Sequence, residues 1–152
     1  MGWRDLRRLI SVSLCAAAIF GSSSLSASAA GGVKIREIYY NSPGPDYGSN
    51  ASLNAEWVLL KNTGGYRISL QGWTLRDAAG HVYHFPAAFR LGAGSTVKIH
   101  TGKGSNTRRN LYWGSGSYIW NNDSDTATLK RASGTVADKC SYSNSSANYK
   151  FC

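Results

Sequence analysis

The chain has 152 residues, with 17 Lys and Arg against 8 Asp and Glu, and a formal net charge of +9. Once an unusual first thirty residues are set aside, about 120 residues remain, enough for one domain with a modest core and too few for two. A basic chain of this kind favours anionic surfaces such as nucleic acid, wall polymers or phospholipid headgroups, although the same charge also keeps a small secreted protein soluble.

The beginning reads as a secretory signal peptide over residues 1–30. Arg4, Arg7 and Arg8 make a basic start, Leu9 to Phe20 is apolar, and Gly21 to Ala30 is small-residue sequence ending in Ala27-Ser28-Ala29-Ala30. A helix of that apolar length rises only about 18 Å, against a hydrocarbon core of roughly 30 Å, so the segment does not span a membrane. Cys15 lies inside the apolar run behind the bulky Leu14, the wrong place for lipidation. The expected mature domain is residues 31–152, secreted, with no transmembrane segment after cleavage. It retains 14 of the 17 basic and 7 of the 8 acidic residues, a net charge of +7.

No mature stretch holds a helical apolar period, whereas short β-branched and aromatic runs recur between Gly, Asn, Asp and Pro clusters. The predicted strands are Val33 to Tyr40, Glu56 to Lys61, Gly72 to Arg76, Val82 to Phe85, Thr96 to His100, Leu111 to Trp113, Thr126 to Lys130 and Val136 to Tyr142. Asp77-Ala78-Ala79-Gly80 reads as a hairpin connection, its Gly left-handed. Alternation turns Val97 and Ile99 inward and Lys98 and His100 outward, and likewise separates Ala127 and Leu129 from Thr126, Thr128 and Lys130. Such a series implies an all-β, antiparallel sandwich of two face-to-face sheets. Asn41 to Asn54, Gly102 to Asn110 and Ser141 to Phe151 read as loose segments.

Cys140 and Cys152 are the even pair left in an exported chain and are expected to be bonded. Closing a loop of about a dozen residues would add roughly 3 kcal/mol in the chain-entropy model and tie down a polar tail.

The order of several motifs resembles the lamin tail domain, an immunoglobulin-like sandwich. The matching pieces are Glu56-Trp57-Val58-Leu59-Leu60-Lys61-Asn62, Leu70-Gln71-Gly72-Trp73-Thr74-Leu75, His84-Phe85-Pro86, Leu91 to Ile99, the Gly-containing Thr101 to Gly104 with the Trp113 and Trp120 motifs, and Asp125 to Leu129. The resemblance covers about Val33 to Tyr142. It implies a context of stand-alone secreted bacterial members rather than nuclear lamins, because the chain has no coiled coil. Trp73, Leu75, Tyr83 and Phe85 read as core, and Trp57, Trp113 and Trp120 as core rather than as the lining of a ligand groove.

Catalytic constellations are missing from the pattern. His81 and His84 are three apart on a strand and point to opposite faces, the serines lie in polar loops without an elbow motif, and no acidic pair carries a glycosidase signature. Asn121 to Asp125 reads as an Asx-rich turn, since Thr126 and Ala132 stand where a calcium loop needs Gly and Glu. A second calcium arrangement would have Glu37, Asp46 and Glu56 converge at one sandwich end. Otherwise no cofactor is expected. Lys98, Lys103, Arg108, Arg109 and Trp113 make the candidate polyanion-binding region. The sequence thus points to a secreted, non-catalytic binding or structural module. Its partner is open among an anionic wall polymer, nucleic acid or another surface protein; the first alternative is a polyanion-binding protein using residues 98–113, and the second a small secreted hydrolase of unfamiliar site.

Overall fold

The structure, a computed structural model, describes residues 31–143 and 147–152; the segment read as a signal peptide lies outside the described residues. Strand β1 (Val33–Tyr39) alternates buried Val33 and Ile35 with exposed Lys34 and Arg36, the period-two pattern of a strand with one face in the core. It pairs antiparallel with β2 (Trp57–Asn62), which pairs antiparallel with β7 (Thr96–His100). Strand β8 (Asn110–Tyr112) then runs parallel to β7, placing Ile99 opposite Leu111. This parallel pair departs from the antiparallel pairing expected throughout. It arises because residues 101–109 carry the chain back along β7 before β8 begins. On the far edge, β11 (Tyr149–Phe151) pairs with β1, so the sheet order is β11-β1-β2-β7-β8.

The second sheet is β10-β9-β4-β5, formed by β4 (Thr74–Arg76), β5 (Val82–His84), β9 (Ser124–Lys130) and β10 (Val136–Ser143). The β4–β5 hairpin closes at Gly80, whose φ of +103° admits no ordinary side chain without strain. A two-stranded ladder of β3 (Ile68–Ser69) and β6 (Arg90–Leu91) lies outside both sheets. Each of the eight strands expected from periodicity has a counterpart.

Between the sheets, Ile35, Ile38, Val58, Leu60, Val97, Ile99 and Leu111 from the first meet Leu75, Tyr83, Ala127, Leu129 and Tyr142 from the second. Burying large aliphatic and aromatic side chains contributes about 1.5–3 kcal/mol each before the conformational entropy that opposes it. Trp120 is core, as expected, and Trp113 and Trp73 pack against its edge. Trp57 departs from the expectation. It pairs with Tyr39 and His100, the outward residues of β1 and β7, so its ring lies on the outer face of the five-stranded sheet.

Parts of two segments expected to be loose form regular elements. Asn50–Ala55 forms a short helix, α1, whose N-cap Ser49 accepts the Ser52 amide and whose Leu53 is buried. The tail becomes β11 because Cys152 is bonded to Cys140 with their Cα atoms 5.9 Å apart, and the Cys152 amide donates to Arg36 O. Arg36 is the bulged residue of β1, passed over in the register with β2.

Candidate functional site

The most distinctive concavity opens beside β6. Pairing of Ile68 with Leu91 and Ser69 with Arg90 sets the β3–β6 ladder, which brings Arg67 and Arg90 to one wall. Arg108 and Arg109, from the loop that leads into β8, line the same cavity, together with the apolar Phe89, Leu91 and Leu111. That loop is shaped by Thr107, whose hydroxyl accepts the Arg109 and Asn110 amides at 3.3 and 3.0 Å while its own amide donates to Asn110 O. The cavity is about 920 Å³, and its lining includes four arginines and no Asp or Glu.

The candidate cationic residues therefore divide. Arg108 and Arg109 line the groove. Lys98 stands on the outer sheet face with its ammonium 3.6 Å from the centre of the Trp57 ring. Lys103 belongs to a loop clamped to α1: its amide donates to Asn50 Oδ1, and its carbonyl accepts the side-chain amides of Asn50 and Asn54. Trp113 turns inward, packing against Tyr83 at 5.5 Å and Trp120 at 6.1 Å, and does not face the cations.

The three carboxylates considered for calcium do not meet. Glu37 pairs with Leu59 and Phe151 on the sheet, whereas Glu56 is wholly buried and Asp46 bonds to Ser42 Oγ and Asn122 Nδ2. Among the described residues, no three metal-ligating side chains are grouped to hold an ion. Asn121 to Asp125 forms the expected Asx turn, with the Asp123 amide donating to Asn121 Oδ1 at 2.9 Å.

Glu56 serves the fold. Its Oε1 accepts the Thr101 hydroxyl at 2.5 Å and the Ile119 and Trp120 amides at 2.9 and 3.2 Å. Burial pushes the carboxyl up to about 7, and the Asp46 charge adds to the rise, while the three hydrogen bonds oppose it.

His81 Nδ1 contacts buried Asp77 at 2.5 Å, an arrangement that otherwise orients a catalytic base. Asp77 also accepts the Gly80 and His81 amides, closing the hairpin. Among the described residues, no Ser, Thr or Cys side chain is hydrogen-bonded to a histidine.

The family model of the Lamin Tail Domain matches residues 26–144. The chain belongs to the lamin tail domain family. No curated protein matches it. The sandwich of this lamin tail domain is thus the family's immunoglobulin-like fold. Two groove residues, Arg67 and Arg90, were beyond sequence reasoning. They lie far from Arg108 in the chain, and two-residue strands give no periodic signal that would place them beside it.

Proposed function

We propose that this lamin tail domain is an exported, non-catalytic binding module that holds a phosphodiester polymer in the arginine-lined groove. The observation that carries the reading is the convergence of Arg67, Arg90, Arg108 and Arg109 on one concavity with no carboxylate in its lining. Guanidinium groups present planar forks that take two phosphate oxygens at once, and four of them in one cavity can engage successive phosphates of a chain. Export is supported by the order of basic, apolar and small residues at the start of the sequence. The non-catalytic reading is supported by histidines that, among the described residues, bond to Asp77, Asn54 and Asn110 rather than to a Ser, Thr or Cys, and by an Asp77–His81 contact that closes a turn.

The test is equilibrium binding of the purified domain to a glycerol-phosphate polymer and to double-stranded DNA across a salt series, with hydrolysis of each monitored. Affinity is expected to fall steeply with salt, and the slope to shrink by about one in each of Arg67→Ala, Arg90→Ala, Arg108→Ala and Arg109→Ala, because each variant neutralises one phosphate fewer. Salt-independent retention, four silent substitutions or turnover of either polymer would each overturn the reading. Export is checked by sequencing the N-terminus of the chain recovered outside the producing cells; a start near Gly31 supports it, and an intact chain retained inside overturns it.

A further inference from the structure

The outer face of the five-stranded sheet carries a row of rings that the fold does not use as core. Tyr149, Tyr39, Trp57, His100 and Tyr112, one from each strand, are cross-strand partners in unbroken succession: Tyr149 pairs with Tyr39, Tyr39 with Trp57, Trp57 with His100, and His100 with Tyr112. Four interstrand spacings make the row about 19 Å long. Phe151, 66 % exposed, packs edge-on against Tyr149 at its open end.

The rings lean against one another. Tyr149 and Tyr39 are 6.1 Å apart and 15° from parallel, Tyr39 and Trp57 5.4 Å and 22°, His100 and Tyr112 5.1 Å and 19°. Parallel rings approach no closer than about 3.5 Å face to face, so a separation of 5.4 Å implies an offset of about 4 Å. The rings therefore overlap like shingles, each residue staying at least partly exposed. Between Trp57 and His100 the gap is occupied by the Lys98 ammonium. The register also puts Lys61 on this face, opposite Lys34, and Glu37 opposite Leu59. Lys34 is tied to Asp138 at 3.3 Å. Lys98 is the cation seated at the row, beside Glu37 on the neighbouring register line, and Lys61 stands one outward position farther along β2.

We infer that this row is a binding face for a linear acidic polysaccharide, a carboxylate-bearing glycan lying across the strands. The C–H faces of successive sugar rings would rest on the bare parts of the aromatic rings, the tyrosine hydroxyls would meet sugar hydroxyls, and Lys98 and Lys61 would take carboxylates. Single-stranded nucleic acid is disfavoured because rings already stacked at 15° to 22° leave no slot between them for a base. The arginine groove adjoins the same strand at Thr96, the partner of Lys61, whereas the row crosses it at His100, two outward positions farther on.

The experiment measures binding of the domain to polygalacturonate, a neutral β-glucan and oligo-dT at 0.5 M salt, where the phosphate groove is largely screened. Polygalacturonate is expected to bind with a change in tryptophan fluorescence. Affinity should fall about tenfold per stacking ring removed in Tyr39→Ala and in the exposed Tyr149→Ala, fall also in Lys98→Ala, and stay unchanged in the double variant Arg108→Ala/Arg109→Ala. Near-ultraviolet circular dichroism of each variant establishes that it is folded, and Tyr149→Phe, which keeps the ring, should restore most of the binding. Failure of polygalacturonate to bind, silence of both tyrosine variants, or weakened binding in the arginine variant would overturn the inference. So would exclusive binding of oligo-dT, preference for the neutral glucan, or a dimer that Tyr149→Ala abolishes.

Discussion

Cys152 joins the two sheets through Cys140: its sulfur is bonded to β10 of one sheet while its amide donates to Arg36 O on β1 of the other. The bridge adds a covalent tie to β11 at the sheet edge, where a three-residue strand with exposed side chains is otherwise held by its pairing with β1 and by the Tyr40 and Asn41 amides, which donate to Asn148 O. A Cys152→Ala variant should lose about 3 kcal/mol of stability in the chain-entropy model and lose amide protection at Tyr149 and Phe151 before the core opens. Chemical denaturation and hydrogen exchange give the readout. Unchanged protection of β11 would show that its backbone pairing suffices.

Glu56 should make stability fall with rising pH. Its folded-state value of about 7 stands above the 4.5 of the unfolded chain, so between those limits the folded state holds the extra proton. The contribution is fully present below about 4.5, drains away up to about 7, and is on the order of 3 kcal/mol. Glu56→Gln keeps an oxygen for Thr101 and the two amides but carries no charge. The difference in stability between variant and parent should grow in the variant's favour from pH 4.5 to 7; a difference constant with pH would refute the assignment.

Gly104 lies against the Tyr112 ring so closely that a Cβ there would fall well inside van der Waals contact with it. Gly104→Ala should push that ring off His100, at a cost of about 1–3 kcal/mol, and shift the Tyr112 ring resonances. Retention of those resonances would mean that the loop moves instead.

Much of the sandwich was legible because its strands obey period-two alternation, with Val97 and Ile99 inside and Lys98 and His100 outside. The motif order from Glu56 to Leu129 carried the family. What escaped had no local signature. Helix α1 buries only Leu53 and is held by its Ser49 cap and by the clamp on Lys103, so no apolar period announces it. β11 is held by pairing with β1, a covalent bond and a bulge carbonyl, all of them long-range. Trp57 resembles a core residue by type, and only its register opposite Tyr39 and His100 shows that it faces outward. The groove shares this property, since Arg67 and Arg90 reach Arg108 through a ladder two residues long.

Asn62 is the residue that sets that ladder. Wholly buried, it donates from Nδ2 to Tyr66 O at 2.6 Å and Leu91 O at 3.1 Å and accepts the Gly64 amide on Oδ1 at 2.9 Å. One side chain thus pins the turn before Arg67 to the strand that carries Arg90. Replacing it with Ala would remove the buried bond to Leu91 O at about 1–3 kcal/mol, free the Tyr66 carbonyl and loosen Arg67 from its place in the groove lining. Asn62→Ala should therefore weaken phosphodiester binding severalfold without touching the polymer, while polygalacturonate binding at the aromatic row holds. Equal weakening at both surfaces would mean that the variant damages the whole sandwich, and undiminished phosphodiester affinity would mean that the groove does not depend on the Arg67 wall.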